Sequence, residues 1–181
     1  GTPPTGPLPD AINFPLYEQE ESHQFKTILF GDPQPRNLKE IEFITHDVLA
    51  ELANDNLGAV FGVSLGDIMF DDLDLYDDLN TRVATIGLPW YNVMGNHDLN
   101  FDAENDALSD ETFEAIYGPR YYSFNYADAH FIVLDNVHWY YSEQREKMGY
   151  RGGLDDEQLE FLKNNLATVP EDQIIILMMH I

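Results

Sequence analysis

The chain has 181 residues, of which 33 are Asp or Glu and 9 are Lys or Arg, so its formal net charge is −24. A surface this acidic repels phosphate backbones, and we therefore predict no nucleic-acid partner. The absence of Cys excludes disulfides and thiolate metal sites. The longest apolar run, residues 174–179, is far shorter than the roughly 20 residues that a membrane-spanning helix needs, so we predict no membrane span.

Two segments of different composition divide the chain. Residues 1–24 contain five prolines and no sustained hydrophobic periodicity, which predicts a linker or an extended arm. Residues 25–181 are predicted to form one domain, in keeping with a norm of about 150 residues per domain. An arm before the domain, together with the absence of Cys, favours an exported protein, periplasmic or extracellular.

Short apolar runs of strand length alternate with amphipathic stretches of helix length from residue 25 onward. This alternation is typical of βαβ units with a largely parallel, buried sheet. We predict strands at residues 26–30, 60–65, 88–94, 121–126, 131–134 and 173–179. We predict helices at residues 38–53, 76–86, 111–116 and 155–166. The short connection after residue 126 predicts an antiparallel hairpin, so the sequence predicts an α/β fold with a mixed sheet.

Three of the predicted strands end in the same way, with Gly followed by a short side chain that carries oxygen. These side chains are Asp32, Asp67 and Asn96, and they are spaced by about one βαβ unit. Right-handed crossovers place the carboxyl ends of parallel strands at one edge of a sheet, so the three side chains should converge there. A fourth apolar run ends in His180, which adds an imidazole to the same edge.

Two carboxylates, an amide oxygen and imidazoles form a mixed set of nitrogen and oxygen ligands. Such a set suits Mn, Fe or Zn better than Ca²⁺, which prefers oxygen alone. Ligands spread over four strand ends favour two divalent or trivalent ions that share one carboxylate. A single Gly-Asp after a strand is usually only a turn, but its repetition at βαβ spacing favours the metal site.

The motifs at these strand ends resemble the signature blocks of the calcineurin-like metallophosphoesterases. The first three blocks are matched by Gly31-Asp32-Pro33-Gln34, by Gly66-Asp67 with Asp71 close behind, and by Gly95-Asn96-His97-Asp98. His180 resembles the fourth, and the resemblance covers about residues 26–181. It implies a sheet sandwich flanked by helices, with a dinuclear metal centre at the strand ends.

The resemblance also implies a role for each residue of the motifs. Asp32 would bind the first metal ion, Asp67 would bridge both ions, and Asn96 and His180 would bind the second.

By the same resemblance, His97 would contact the phosphoryl or leaving oxygen, and Asp98 would hold its ring. Gln34 departs from the family pattern, which usually has His at this position, but its carbonyl oxygen could serve as a weaker metal ligand. The fifth block of the family, Gly-His-x-His, has no counterpart in the sequence. We therefore expect a C-terminally truncated domain that binds metal poorly by itself and whose site is completed by a missing C-terminal part.

The resemblance implies a metal-dependent hydrolase that cleaves a small phosphorylated substrate, a phosphate monoester or diester, with a metal-bridging hydroxide. The alternative is a catalytically degenerate phosphoesterase fold that acts as a binding or interaction domain, which Gln34 and the absent fifth block favour. A nuclease is disfavoured by the net charge of −24.

Two features near the predicted site have alternative interpretations. Arg36 follows Asp32 closely, so its guanidinium could clamp a substrate phosphate or could form an ordinary surface salt bridge. The aromatic run at residues 138–141 could line a substrate pocket or could pack under a long loop, and we favour packing.

Overall fold

The structure is a computed structural model, and it describes residues 20–181. The predicted Pro-rich arm at residues 1–24 therefore lies outside the described residues, except for residues 20–24. Within the described part of the chain, no helix combines the length and the apolar character that crossing a membrane requires.

The first sheet contains three parallel strands in the order of the sequence. They are β1 (Thr27–Phe30), β2 (Phe61–Leu65) and β3 (Trp90–Val93), with β2 in the centre. Gly62 in β2 faces the Trp90 ring so closely that a Cβ atom would lie 2.0 Å from a ring carbon. The parallel order places the carboxyl ends of all three strands at one edge of the sheet.

The second sheet pairs β5 (Ala129–Val133) with an antiparallel strand on one side and a parallel strand on the other. The neighbours are β4 (Tyr122–Tyr126), joined to β5 as the predicted hairpin, and β8 (Ile174–Met178). Two further strands, β6 (Val137–Ser142) and β7 (Lys147–Gly152), form a separate antiparallel hairpin.

The helices lie in the connections between these strands. After β1, α1 (Leu38–Ile44) continues through a π-helical turn (Thr45–Leu49) into α2 (Ala50–Asn54), so the predicted helix at 38–53 contains a π turn. The others are α3 (Tyr76–Val83), with a 3₁₀ extension over Ala84–Ile86, α4 (Glu111–Tyr117) and α5 (Asp156–Leu166).

Two hydrophobic cores show how these layers pack. One core lies between the two sheets, where Phe61 of β2 meets Phe131 of β5 with ring centroids 5.3 Å apart. The other core packs α1 and α3 on the first sheet through buried side chains such as Ile41 and Leu79. α5 lies on the outer face of the second sheet, where its Asn165 side chain donates to Ser123 Oγ at 2.7 Å. The predicted sheet sandwich flanked by helices is confirmed.

The hairpin of β6 and β7 is the element that we did not predict. Its second strand carries Lys147, Gly149, Arg151 and Gly152, and neither charged residues nor glycine favour a strand locally. The strand forms because the whole of β6 pairs with it, from Val137 opposite Gly152 to Ser142 opposite Lys147.

Candidate metal centre

The side chains predicted at the strand ends meet at one point. His180 Nε2 lies 3.2 Å from Asp67 Oδ1 and 3.2 Å from Asn96 Oδ1, and His180 Nδ1 lies 3.5 Å from Asp32 Oδ1. Ligand atoms of Asp32, Asp67 and His180 all lie within 4.8 Å of one another. These donors, with the Asn96 amide, are a set that suits Mn, Fe or Zn, so the residues present fit the predicted cations.

The backbone at this point is held in unusual conformations. Asp32, Gln34, Asp67 and Asp71 all have positive φ angles, of 48°, 29°, 48° and 64°. Such conformations cost non-glycine residues of order 1–3 kcal/mol each and persist only where the surrounding structure imposes them. Their concentration at one edge of the sheet is typical of a functional site.

Two glycines allow the strand ends to approach each other. A Cβ atom on Gly95 would lie 1.9 Å from the Asp67 backbone nitrogen, inside any permitted contact. A Cβ atom on Gly66 would lie 2.4 Å from His180 Nδ1, and Gly66 also has a φ of +90°. The repeated glycine before each oxygen-bearing side chain therefore has a steric reason at Gly66 and Gly95.

Hydrogen bonds keep Asp67 ionised in spite of its burial. Burial raises the pKa of Asp67, but hydrogen bonds from His180 and from the His97 backbone N–H, the latter at 2.9 Å, outweigh it and hold this pKa below its ordinary value. The hydrogen bond to Asp67 in turn raises the pKa of His180 to about 9, against the effect of burial. A cation bound between these groups would therefore displace a proton from His180.

Gln34 also reaches the centre, where it contacts Asp67. Its Nε2 donates to Asp67 Oδ2 at 2.8 Å, and its backbone N–H donates to the Asp67 carbonyl at 3.0 Å. In this arrangement Gln34 is a hydrogen-bond donor to the carboxylate predicted to bridge the metals. Its role as a metal ligand through the carbonyl oxygen stays a prediction.

The expectation that Asp98 holds the His97 ring is wrong, because that contact is made by Asp71. His97 Nδ1 lies 2.6 Å from Asp71 Oδ1, and His97 Nε2 lies 4.0 Å from Asp67 Oδ2. The ring also stacks on Phe70, with centroids 4.3 Å apart. Asp71 has no regular secondary structure to mark it, but its place four residues after Asp67 was a signal in the sequence.

Asp98 instead stabilises the loop that follows β2. Its fully buried carboxylate accepts hydrogen bonds from the backbone N–H groups of Ile68, Met69 and Gly95, and from the Tyr76 hydroxyl at 2.9 Å. Burial raises the pKa of Asp98 to about 6, although these bonds oppose the shift. Asp98 therefore shapes the backbone around Asp67 rather than orienting His97.

Arg36 lies beside the stacked rings. Its guanidinium carbon is 5.0 Å from the centroid of the Phe70 ring, which itself stacks on His97. Among residues 20–181, no acidic side chain lies within ion-pair distance of Arg36. The alternative of a surface salt bridge is therefore not observed in this part of the chain, where no described acidic side chain is paired with the guanidinium.

The aromatic run at residues 138–141 packs in part against the body of the protein. Trp139 is buried, its Nε1 donates to the Ala103 carbonyl at 3.0 Å, and its ring contacts Phe101. Tyr140 lies under the Arg151 guanidinium, whereas Tyr141 is exposed. Packing, the favoured interpretation, is thus what the structure shows for Trp139.

Comparisons with known proteins find similarity at the level of the fold. No protein-family model and no curated protein matches the sequence. Purple acid phosphatase PPD1 from yellow lupin (Lupinus luteus) seeds is 17% identical with a TM-score of 0.57, and the match covers 85% of this chain and 30% of that one. A dimetal phosphatase from Danio rerio is 17% identical with a TM-score of 0.51, over 87% of this chain and 69% of that one. The chain, which spans under a third of the lupin enzyme, has a metallophosphoesterase-type fold.

Proposed function

We propose that this protein is a metal-dependent hydrolase of phosphate esters. The observation that carries the proposal is the convergence of Asp32, Asp67 and His180, whose ligand atoms lie within 4.8 Å of one another, with Asn96 in contact. The two structural neighbours are described as a purple acid phosphatase and a dimetal phosphatase, which supports the same chemistry.

Two divalent or trivalent ions of Mn, Fe or Zn would be held by Asp32, Asp67, Asn96 and His180, with Asp67 shared between them. Bound ions of this kind lower the pKa of water to about 7 and neutralise charge on a phosphoryl group. Four protein side chains with one shared carboxylate leave open coordination positions, because each ion takes at least about four ligands. Water and the substrate would fill these positions.

His97 would act on the leaving group of the substrate. Asp71 Oδ1 accepts a hydrogen bond from His97 Nδ1–H, and Nε2 is the atom that faces Asp67 and the centre. In the imidazolium form both ring nitrogens carry hydrogen, so His97 would donate a hydrogen bond or a proton through Nε2 to the oxygen that departs. The stack on Phe70 holds the plane of the ring.

Arg36 would bind the phosphate of a small phosphorylated substrate. Its guanidinium can donate two parallel hydrogen bonds to phosphate oxygens, and Phe70 supports its flat face. Because the same Phe70 ring contacts His97, it would fix the position of the Arg36 guanidinium relative to the His97 imidazole.

The test is metal content and hydrolysis of p-nitrophenyl phosphate and its diester by the natural full-length protein with Mn²⁺ added. We expect Asp67→Asn to abolish hydrolysis, because one shared ligand is lost, whereas the exposed Asp78→Asn should leave it unchanged. Equal activity of Asp67→Asn and wild type would overturn the proposal. A wild-type protein that retains no metal and hydrolyses neither ester would instead support the alternative of a binding domain, which the position of Gln34 favours.

A further inference from the structure

The side chain of Asn136 holds the main chain that carries His180. Asn136 lies between β5 and β6 and is 5% exposed. Its Oδ1 accepts hydrogen bonds from the backbone N–H of His180 at 3.1 Å and of Ile181 at 3.0 Å. Its Nδ2 donates to the Ile181 carbonyl. One buried amide therefore satisfies three main-chain groups next to a predicted metal ligand.

The bonds of Asn136 to residues 180 and 181 lie just beyond the last paired residues of β5 and β8. The register of β5 with β8 ends where Val133 faces Met178, and one more bond follows, from Leu134 N–H to the Met178 carbonyl at 3.0 Å. Beyond that point no strand partner is available to His180 in the described chain. The Asn136 amide takes the place of a neighbouring strand and prevents the chain from fraying.

The position of the main chain determines where the His180 ring points. Nδ1 donates to the Leu65 carbonyl at 2.9 Å, which fixes the rotation of the ring. With the backbone and Nδ1 both held, Nε2 is directed at Asp67 and Asn96, each 3.2 Å away. A shift of the main chain by even 1 Å would take Nε2 out of this geometry.

Asn136 is itself attached firmly to the rest of the molecule. The preceding residue, Asp135, accepts from Arg120 Nη1 at 2.9 Å, and its backbone N–H donates to Gln158 Oε1 at 2.9 Å. The Asn136 carbonyl accepts from Gly153 N–H at 3.0 Å at the end of β7. These bonds fix the main chain around Asn136, so its buried side-chain amide is held in a defined position.

We propose that Asn136 is a positioning residue of the metal centre, which holds the main chain of His180 so that Nε2 points at the cation. This inference rests on the proposed function, because it requires that His180 binds metal. An amide is suited to this role, since it supplies both an acceptor for two N–H groups and a donor for one carbonyl.

The first test is the Mn²⁺ affinity of the full-length protein, measured by calorimetry. We expect Asn136→Leu, which removes all three bonds, to weaken binding about 10- to 100-fold, as is typical when a group that orients a metal ligand is lost. Asn165→Leu is the matched control. It removes an amide with two comparable bonds, to Ser123 and His130, on the far side of the second sheet, and should leave the affinity unchanged. Wild-type affinity in Asn136→Leu would overturn the proposal, and Asn136→Ala replaces this variant if it does not fold.

A double-mutant cycle separates positioning from a general structural effect. In a His180→Ala background, Asn136→Leu should cause no further loss of Mn²⁺ affinity, because its effect passes through the imidazole. The same fold-loss in both backgrounds would show that Asn136 acts on the fold as a whole, and the proposal would be wrong.

A measurement without metal keeps this inference distinct from the proposed function. In the metal-free protein, Asn136→Leu should move the His180 imidazole resonances towards those of the exposed His46, and Asn165→Leu should not. Unchanged His180 resonances would refute the positioning role. If wild-type protein binds no Mn²⁺ but the resonances do shift, the proposed function fails while the holding of His180 by Asn136 stands.

Discussion

Two clusters of carboxylates in this molecule are each built around one basic side chain, and they differ in whether that side chain can give up its proton. In the first, Arg120 Nε, Nη1 and Nη2 contact Asp110, Asp135 and Asp155 at 2.8, 2.9 and 3.2 Å. A guanidinium stays charged at every accessible pH and fills the lone pairs of the acids with fixed donors. This cluster is closed to other cations and joins α4, β5 and α5.

In the second cluster, His180 contacts Asp67 at 3.2 Å and Asp32 at 3.5 Å. An imidazolium can lose its proton, and the same nitrogen then becomes a metal ligand. The lesson is that a group of acids around one base indicates a metal site only where the base can be deprotonated. Four predictions test this difference.

Removal of the basic side chain should mainly lower stability in the Arg120 cluster and mainly lower metal affinity in the His180 cluster. Arg120→Met leaves three carboxylates facing one another, two of them buried, so we expect the free energy of unfolding to fall by about 3–5 kcal/mol. His180→Ala should cost less stability but weaken Mn²⁺ binding. Urea unfolding without metal and calorimetric Mn²⁺ titration measure the two effects. Equal losses of stability in both variants would contradict the distinction.

Loss of the Asp71 carboxylate, which orients His97, should affect catalysis. Loss of the buried Asp98 carboxylate should affect the stability of the fold. We expect His97→Ala to lower kcat by about 10²-fold or more with metal content unchanged, since a proton donor is lost. Asp71→Asn should lower kcat less, and Asp98→Asn should mainly lower stability. Steady-state hydrolysis with excess Mn²⁺ and thermal unfolding separate these outcomes, and the exposed Asp74→Asn is the control. A greater loss of kcat in Asp98→Asn than in Asp71→Asn would restore the original assignment.

The strand ends approach each other closely at Gly95 but leave open space at Gly31, so only Gly95 should resist substitution by Ala. Gly95→Ala places a methyl group 1.9 Å from the Asp67 backbone nitrogen, so we expect a loss of about 1–3 kcal/mol in stability and weaker Mn²⁺ binding. Gly31→Ala meets nothing within 4 Å and should stay within about 0.5 kcal/mol of wild type. Similar behaviour of the two variants in urea unfolding would mean that steric contact does not explain the repeated glycine.

The smallest expected effect is a pH dependence of stability in the cluster around Arg120. Burial raises the pKa of Asp110 to about 6, although Arg120 attracts its charge. Because the folded state holds this proton more tightly than the unfolded state, whose pKa is about 4, the contribution of Asp110 to stability falls as pH rises from about 4 to 6. Asp110→Asn should therefore have a more favourable effect on stability at pH 8 than at pH 4. An equal change at both pH values would show that Asp110 does not titrate in this way.

The convergence at the strand ends was predictable because it follows from general rules of topology. Parallel strands with right-handed crossovers leave their carboxyl ends at one edge, so Asp32, Asp67 and Asn96 meet there whatever the details of packing. The same pattern also occurs after β5, which ends close to Asp135 and Asn136, but we did not extend the rule to that strand. The partner of His97 was not predictable in this way, since Asp98 is adjacent in sequence but is directed into the backbone of the β2 loop.

Hydrophobic periodicity and the repeated junctions of Gly with an acid or an amide, both local properties of the chain, were enough to determine the α/β class, most of the elements and the candidate ligands. The tertiary structure alone decided which acid contacts which base, that Gln34 donates to Asp67, and that β7 forms a strand at all. These features depend on side-chain direction, burial and pairing between distant segments. Such contacts form only when the whole domain is folded, and local sequence therefore carries no separate signal for them.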